Sequence, residues 1–164
     1  MAGVRVKAVG TDTTTSDRVV LLEETGGGGR IVAVAVGEAE ALAAAAALEG
    51  VHSARPGTHR LIGAVLSAAG RRLARVRVHA LRDAVFHAEL ELDDGTRIDA
   101  RTSDAVVLAL QAGAPLEVDD EVLAVAGVDP ATVTVEGPGG GADEVERFRR
   151  FLDTALPEDF DRPQ

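Results

Sequence analysis

The chain has no cysteine, tryptophan or tyrosine, and only four phenylalanines among 164 residues. Without cysteine there is no disulfide, no thiolate nucleophile and no cysteine-bound zinc. So few aromatic rings argue against a base-stacking platform for single-stranded nucleic acid. No apolar run approaches the ~20 residues needed to cross a bilayer. The start reads as a polar strand rather than a signal peptide, so the expected location is the cytoplasm and no membrane partner is expected. The length suits one domain with a short appendage, large enough to bury a core.

Positive charge is scarce overall, and the formal net charge is −10. Its distribution is uneven. Residues 30–112 balance ten arginines against ten acids, whereas residues 113–164 carry thirteen acids and four arginines. Within the neutral middle, residues 51–82 hold seven arginines, three histidines and no acid. A local basic region of this kind can bind phosphates although the chain as a whole is acidic. The same arginines can equally pair with acids elsewhere in the fold.

Alternation predicts strands over 4–9, 18–24 and 30–36, the last two joined by a glycine-rich hairpin connection. Ile31 to Val36 is apolar on both faces, as in a covered strand. Glu38 to Glu49 predicts an alanine-rich helix, able to approach a neighbouring helix or a second subunit closely. Pro56-Gly57 is turn chemistry. Thr58 is expected to cap a helix reaching Ala69, with Leu61, Val65 and Leu66 inward.

The next hairpin nearly fixes its own register. A three-residue loop, Arg82-Asp83-Ala84, sets Val78 opposite Ala88 and Val76 opposite Leu90, and brings Arg77 to Glu89 and Arg75 to Glu91. A one-residue slip would set apolar against charged residues throughout. Asp93-Asp94-Gly95 turns the chain again, placing Ile98 opposite Leu90, Arg97 opposite Glu91 and Asp99 opposite Glu89. Two adjacent carboxylates need a counter-charge, a raised pKa or a metal, and Arg77 is the nearest counter-charge.

The stretch from Arg97 to Gly113 is the most informative. Strand alternation breaks at Thr102-Ser103-Asp104 into an apolar helix that Gly113 and Pro115 end. Thr and Ser oxygens can accept from the free first-turn amides, and Asp104 suits the positive end of the helix dipole. Asp99, Arg101, Ser103 and Asp104 therefore gather at one strand-to-helix corner. Beyond it, Leu116 to Val118 predicts a strand, Asp119 to Ala126 a short acidic helix, and Thr132 to Val135 at most one strand. Gly137 to Gly141 reads as a linker, and Asp143 to Leu156 as an amphipathic helix with Val145, Phe148, Phe151 and Leu152 on one face.

Four ordered segments resemble a known family: Gly37-Glu38-Ala39-Glu40-Ala41, Leu48-Glu49-Gly50, Arg55-Pro56-Gly57-Thr58-His59, and Asp99-Ala100-Arg101-Thr102-Ser103-Asp104-Ala105. Their order and spacing are similar to those of the bifunctional nuclease (BFN) domain family, over about residues 4–126. The resemblance implies a self-associating α+β domain and an activity on DNA and RNA. Two positions depart from the family pattern: Arg60 follows His59 where an Asp is usual, and Thr102 stands where a Pro is usual. The expected organisation is a BFN-like domain over 1–127, a linker over 128–142, and a helix and tail over 143–164. Its fold class is α+β, a mixed or antiparallel sheet with hairpins and packed helices.

Two functions follow. The first is metal-assisted phosphodiester hydrolysis of a nucleic acid. Glu38, His59, Asp99 and Asp104 would be catalytic, with His59 as general base, and Arg55, Arg101 and Ser103 would bind substrate. Asp99 and Asp104, with Glu38 or Glu40 as further candidates, would hold Mg²⁺ or Mn²⁺, since only oxygen and imidazole ligands are available. The second is a non-catalytic binding or regulatory module. Either would act as a homo-oligomer, a dimer in the simplest case.

Overall fold

A computed structural model describes residues 1–133 and 135–136. The linker expected at 137–141 and the helix expected over 143–156 lie outside the described residues. Among these residues nine strands form one mixed sheet in the order β6-β5-β4-β7-β1-β2-β3-β8, with β9 added to β1. The strands are β1 (Ala2–Asp12), β2 (Arg18–Glu24), β3 (Ile31–Val36), β4 (Leu73–Arg82), β5 (Val85–Leu92), β6 (Arg97–Arg101), β7 (Leu116–Val118), β8 (Gly127–Val128) and β9 (Val135–Glu136). Four helices join them: α1 (Glu38–Leu48), α2 (Thr58–Ala68), α3 (Thr102–Ala112) and α4 (Asp120–Ala126). The fold is α+β, and among the described residues no helix is long and apolar enough to cross a membrane.

Short β7 joins the two halves of the sheet. It runs antiparallel to β1 through Val4–Leu116 and parallel to β4 through Val76–Leu116 and Val78–Val118. Helix α3 is the central element on the covered face. Ala105, Val106, Val107, Leu108 and Ala109 are all buried against the sheet and α1. Gly113 ends it at φ 63°, the left-handed conformation in which a side chain would be strained. The small residues of α1 serve this packing: Ala41, Ala44 and Ala45 are buried, and α1 lies against α3 of its own chain.

The registers of β4, β5 and β6 are those expected. Val78 pairs with Ala88, Val76 with Leu90, Arg77 with Glu89 and Arg75 with Glu91; on the far side, Ile98 pairs with Leu90 and Asp99 with Glu89. The loop differs. Arg82 pairs with Val85, leaving a two-residue turn of Asp83 and Ala84, at φ 48° and 62°. The register shifts between Val78 and Ala80, so a bulge at His79 absorbs the residue that the three-residue loop was expected to hold. Positive φ at both turn residues suits the right-handed twist of the hairpin, which is why the shorter turn wins.

Three further expectations are corrected. Helix α2 begins at Thr58 with Gly57 as its cap, and α3 begins at Thr102 with Arg101 as its cap; neither cap residue offers a side-chain acceptor to the free backbone amides of the first turn. Thr58 and Ser103 thus sit inside their first turns rather than capping them. The residues expected inward on α2 point elsewhere: Leu61 and Val65 are exposed, and no α2 side chain is buried. At the end of the described chain, Pro130–Thr132 is a 3-10 turn, and the strand is the two-residue β9, on Thr11 and Asp12 of β1.

Candidate active site

Strand β6 passes into α3 without a loop, because Arg101 keeps extended φ and ψ (−63° and 139°) and Thr102 is already helical. Residues three apart on a helix face one another. Arg101 accordingly reaches along the first turn and donates from Nε to Asp104 Oδ2 at 2.7 Å. The other oxygen of Asp104, Oδ1, lies 2.9 Å from Nε2 of His59, in the first turn of α2. Arg101 also donates from Nη2 to Glu40 Oε1, on the first turn of α1, at 3.1 Å. A chain of ion pairs and hydrogen bonds, Glu40–Arg101–Asp104–His59, thus ties the starts of three helices to the end of β6.

His59 and Asp104 are mostly covered, whereas Arg101 is largely exposed. Burial alone would raise the Asp104 carboxyl, but hydrogen bonds from Arg101 and His59 outweigh it and hold the group below the usual aspartate value. Arg101 is shifted the other way, above its usual value, first by its hydrogen bond to Asp104.

These four side chains line a cleft of about 920 Å³ between α1, α2 and the β6–α3 corner. Its interior is apolar, with Ala43, Ala47, Ile62, Leu90, Ile98 and Leu108 among the walls. Glu40, His59, Asp99, Arg101 and Asp104 supply the polar groups. An apolar cleft with a few convergent polar groups and a shifted carboxylate has the general form of a small-molecule or catalytic site.

Of the residues expected at a site, His59, Asp99, Arg101 and Asp104 line this one cleft. Glu38 does not; its two carboxylate oxygens each accept from Arg18 at 2.9 Å. Two residues along a helix amount to a rotation of about 200°, so Glu38 and Glu40 cannot share a face, and Glu40 has the cleft. Arg55 is exposed on the loop before α2 and is not among the lining residues. Ser103 lines a neighbouring groove of about 740 Å³ with Gly37, Phe86 and Thr102. His52 lines the cleft as well. It sits seven residues before His59 in a polar loop, and no periodicity marks it.

Asp99 enters none of the described ion pairs. Across the strand from it, Glu89 lies 3.5 Å from Arg77 and 3.6 Å from Arg97. Arg77 makes its shortest contacts with Asp119, two bonds of 2.7 Å to both carboxylate oxygens. The counter-charge expected for Asp99 and Glu89 is therefore shared with the residue that precedes α4.

A model of the bifunctional nuclease domain matches residues 19–131. The chain belongs to the bifunctional nuclease domain family. Similar proteins occur in two strains of Mycobacterium tuberculosis. Each is described as an uncharacterized protein and is 37% identical over 167 residues, which cover 98% of this chain and 98% of the relative.

The family pattern has a local explanation at position 102. Thr102 is the first residue of α3, where proline is well tolerated because the amide has no partner within the helix. Here the side chain is buried, and its hydroxyl donates to the carbonyl of Phe86 at 3.0 Å. At the other departure, Arg60 is exposed beside His59, and Asp104 from α3 supplies the carboxylate that meets the imidazole.

The Mg²⁺ or Mn²⁺ expected on Asp99 and Asp104 meets a poor donor set as arranged. Both oxygens of Asp104 already face cationic or imidazole nitrogens, and the Arg101 guanidinium 2.7 Å away opposes a second cation. Among the described residues no three His, Asp or Glu side chains gather as a metal-binding group.

Proposed function

We propose that the cleft hydrolyses phosphodiester bonds, with His59 as the acid–base group. The observation that carries this reading is the 2.9 Å contact between His59 Nε2 and Asp104 Oδ1 in the lining of the cleft. A carboxylate on one imidazole nitrogen fixes the tautomer that bears its proton there, and frees the other nitrogen to accept a proton. In this reading Nδ1 of His59 takes a proton from the water attacking phosphorus. The P–O bond to the leaving oxygen breaks, and the imidazolium returns the proton to that oxygen. Arg101, held by Asp104 and Glu40, and the neighbouring Arg60 supply cationic donors for the phosphoryl oxygens. No step runs through a metal, and metal dependence is part of the test.

The test is hydrolysis of single- and double-stranded DNA and RNA by highly purified protein, with Mg²⁺, Mn²⁺ or EDTA. Wild-type turnover is expected to fall about 100-fold or more in His59→Ala, the scale of a lost acid–base group. Equal activity in wild type and His59→Ala would assign the signal to a contaminant and overturn the reading.

One observation favours the alternative, a non-catalytic binding module. Glu40, Arg101 and Asp104 together leave one negative charge, and Asp99 adds a second against the single charge of Arg60, so the cleft does not attract a polyanion strongly. In that reading the apolar walls hold a small ligand and the charges close its entrance. A screen of small apolar anions and amines by melting temperature, positive where nuclease assays are blank, would select it.

A further inference from the structure

Strand β6 is an edge. It pairs with β5 on one side, and among the described residues no strand pairs with it on the other. The bond from the Leu92 amide to the Thr96 carbonyl closes the turn between β5 and β6, which makes these two residues a hydrogen-bonded pair. Such pairs alternate along an antiparallel ladder, so Ile98 and Ala100 direct their amides and carbonyls to β5. Those of Arg97 and Asp99 point out of the sheet. Arg97, Ile98 and Asp99 are all exposed, and Ile98 shows 40% of its surface. An exposed edge of this kind is a template for a further strand.

The residues of the edge select the strand that fits. A second copy related by a two-fold axis pairs antiparallel, and the residue on the axis meets itself. An axis at Arg97 sets that arginine against its own copy. An axis at Asp99 sets Asp99 against Asp99 and Arg97 against Arg101. An axis at Ala100 needs the Arg101 side chain, which Glu40 and Asp104 already hold. An axis at Ile98 avoids each of these conflicts. Isoleucine faces isoleucine, Arg97 faces Asp99 twice, and these flanking pairs are the ones whose amides and carbonyls point outward.

The charges of the edge give a second, independent reason. Asp99 lies opposite Glu89 and enters none of the described ion pairs. Among the described residues Glu89 Oε1 is buried without a hydrogen bond, its nearest cations 3.5 and 3.6 Å away. Arg97 is 57% exposed, and its contacts of 3.6 and 3.8 Å with Glu89 and Glu91 hold it loosely. A pair of carboxylates short of a cation thus sits two residues from a loosely held guanidinium. On the other face of β6, Ile98 shares the cleft with Ile62, so the exposed Leu61, Ile62 and Val65 side of α2 adjoins the same edge and adds apolar surface to it.

We propose that two copies of this chain join their β6 strands antiparallel across a two-fold axis at Ile98, continuing one sheet through the dimer. Arg97 of the partner subunit then meets Asp99, which lines the cleft, so each cleft receives a guanidinium from the other chain. The contact stands independently of the phosphodiester reading.

The absence of cysteine allows a test in the full chain with one introduced thiol. In a non-hydrogen-bonded pair on the axis the two Cα atoms lie about 4.5 Å apart, within the reach of a disulfide. Ile98→Cys oxidised with diamide at micromolar concentration is expected to give a disulfide dimer. Arg97→Cys or Asp99→Cys alone is expected to link at least fivefold less. Sedimentation without oxidation supplies a readout that does not depend on these variants. Wild type is expected to be a dimer, and Asp99→Arg to raise its dissociation constant tenfold or more. The double variant Arg97→Asp with Asp99→Arg is expected to return to within threefold of wild type. A wild-type monomer at micromolar concentration would overturn the proposal. So would a dimer that Asp99→Arg leaves intact, or one in which Ile98→Cys links no better than its two neighbours.

Discussion

Asp104→Asn is the most informative single substitution, because the residue serves two partners and one helix end. The amide keeps the shape of the side chain, and its oxygen can still accept one bond from His59. What is lost is charge. The first-turn interaction with the helix dipole contributes about 0.3–1 kcal/mol. The pair with the exposed Arg101 is screened by solvent and adds little. Changing a bond to a charged acceptor into a neutral one costs about 1 kcal/mol. These share one carboxylate and do not add fully, so a net loss of about 1–2 kcal/mol is expected, or about 3–6 °C in Tm for a chain of this size. The pH dependence gives the prediction its sign. The folded Asp104 carboxyl lies below its unfolded value, so its stabilisation is complete above the unfolded pKa and is lost as pH falls through the folded pKa. The Tm gap between wild type and variant should hold from about pH 7 to 5 and close below about pH 4, near the unfolded aspartate value. A gap that stays constant or widens at acid pH would refute the account. Millimolar Mn²⁺ in the same melts tests the metal proposal: a rise in wild-type Tm that Asp104→Asn and Asp99→Asn both abolish would make the two carboxylates ligands. The arrangement of donors leads us to expect no such rise.

Three other measurements bear on the fold. Thr102→Pro, which restores the family pattern at the first position of α3, should cost no more than about 1 kcal/mol, mostly for the lost bond to Phe86; a loss above about 3 kcal/mol in chemical denaturation would show that the position is not a tolerant helix start. Ala84→Gly should stabilise the protein by up to about 1 kcal/mol, since Ala84 holds φ 62° in the hairpin turn; an unchanged or lowered Tm would contradict the strain. We also propose self-association, now through a surface other than the buried alanine face of α1. Sedimentation at micromolar concentration is expected to give a species above the 16.9 kDa chain mass, and a monomer alone would remove it.

The sequence by itself determined what depends on neighbours in the chain. Alternation of apolar and charged residues set the registers of β4, β5 and β6, because a slip of one residue turns every side chain to the wrong face. Gly113, with its positive φ, ended α3, and the ordered motifs sufficed to recognise the family. Whatever joins distant segments was decided by the tertiary structure. His59 and Asp104 are 45 residues apart, and Arg77 and Asp119 are 42 apart. Several acids could have satisfied each basic group, and composition does not rank them. The choice between Glu38 and Glu40 turned on which face of α1 met α3, since Arg18 of β2 captured the one that faced away. The exposure of α2 was equally hidden. An amphipathic pattern states that a stripe needs covering, and the apolar residues around α3 were supplied by the sheet and α1, which left the α2 stripe facing outward.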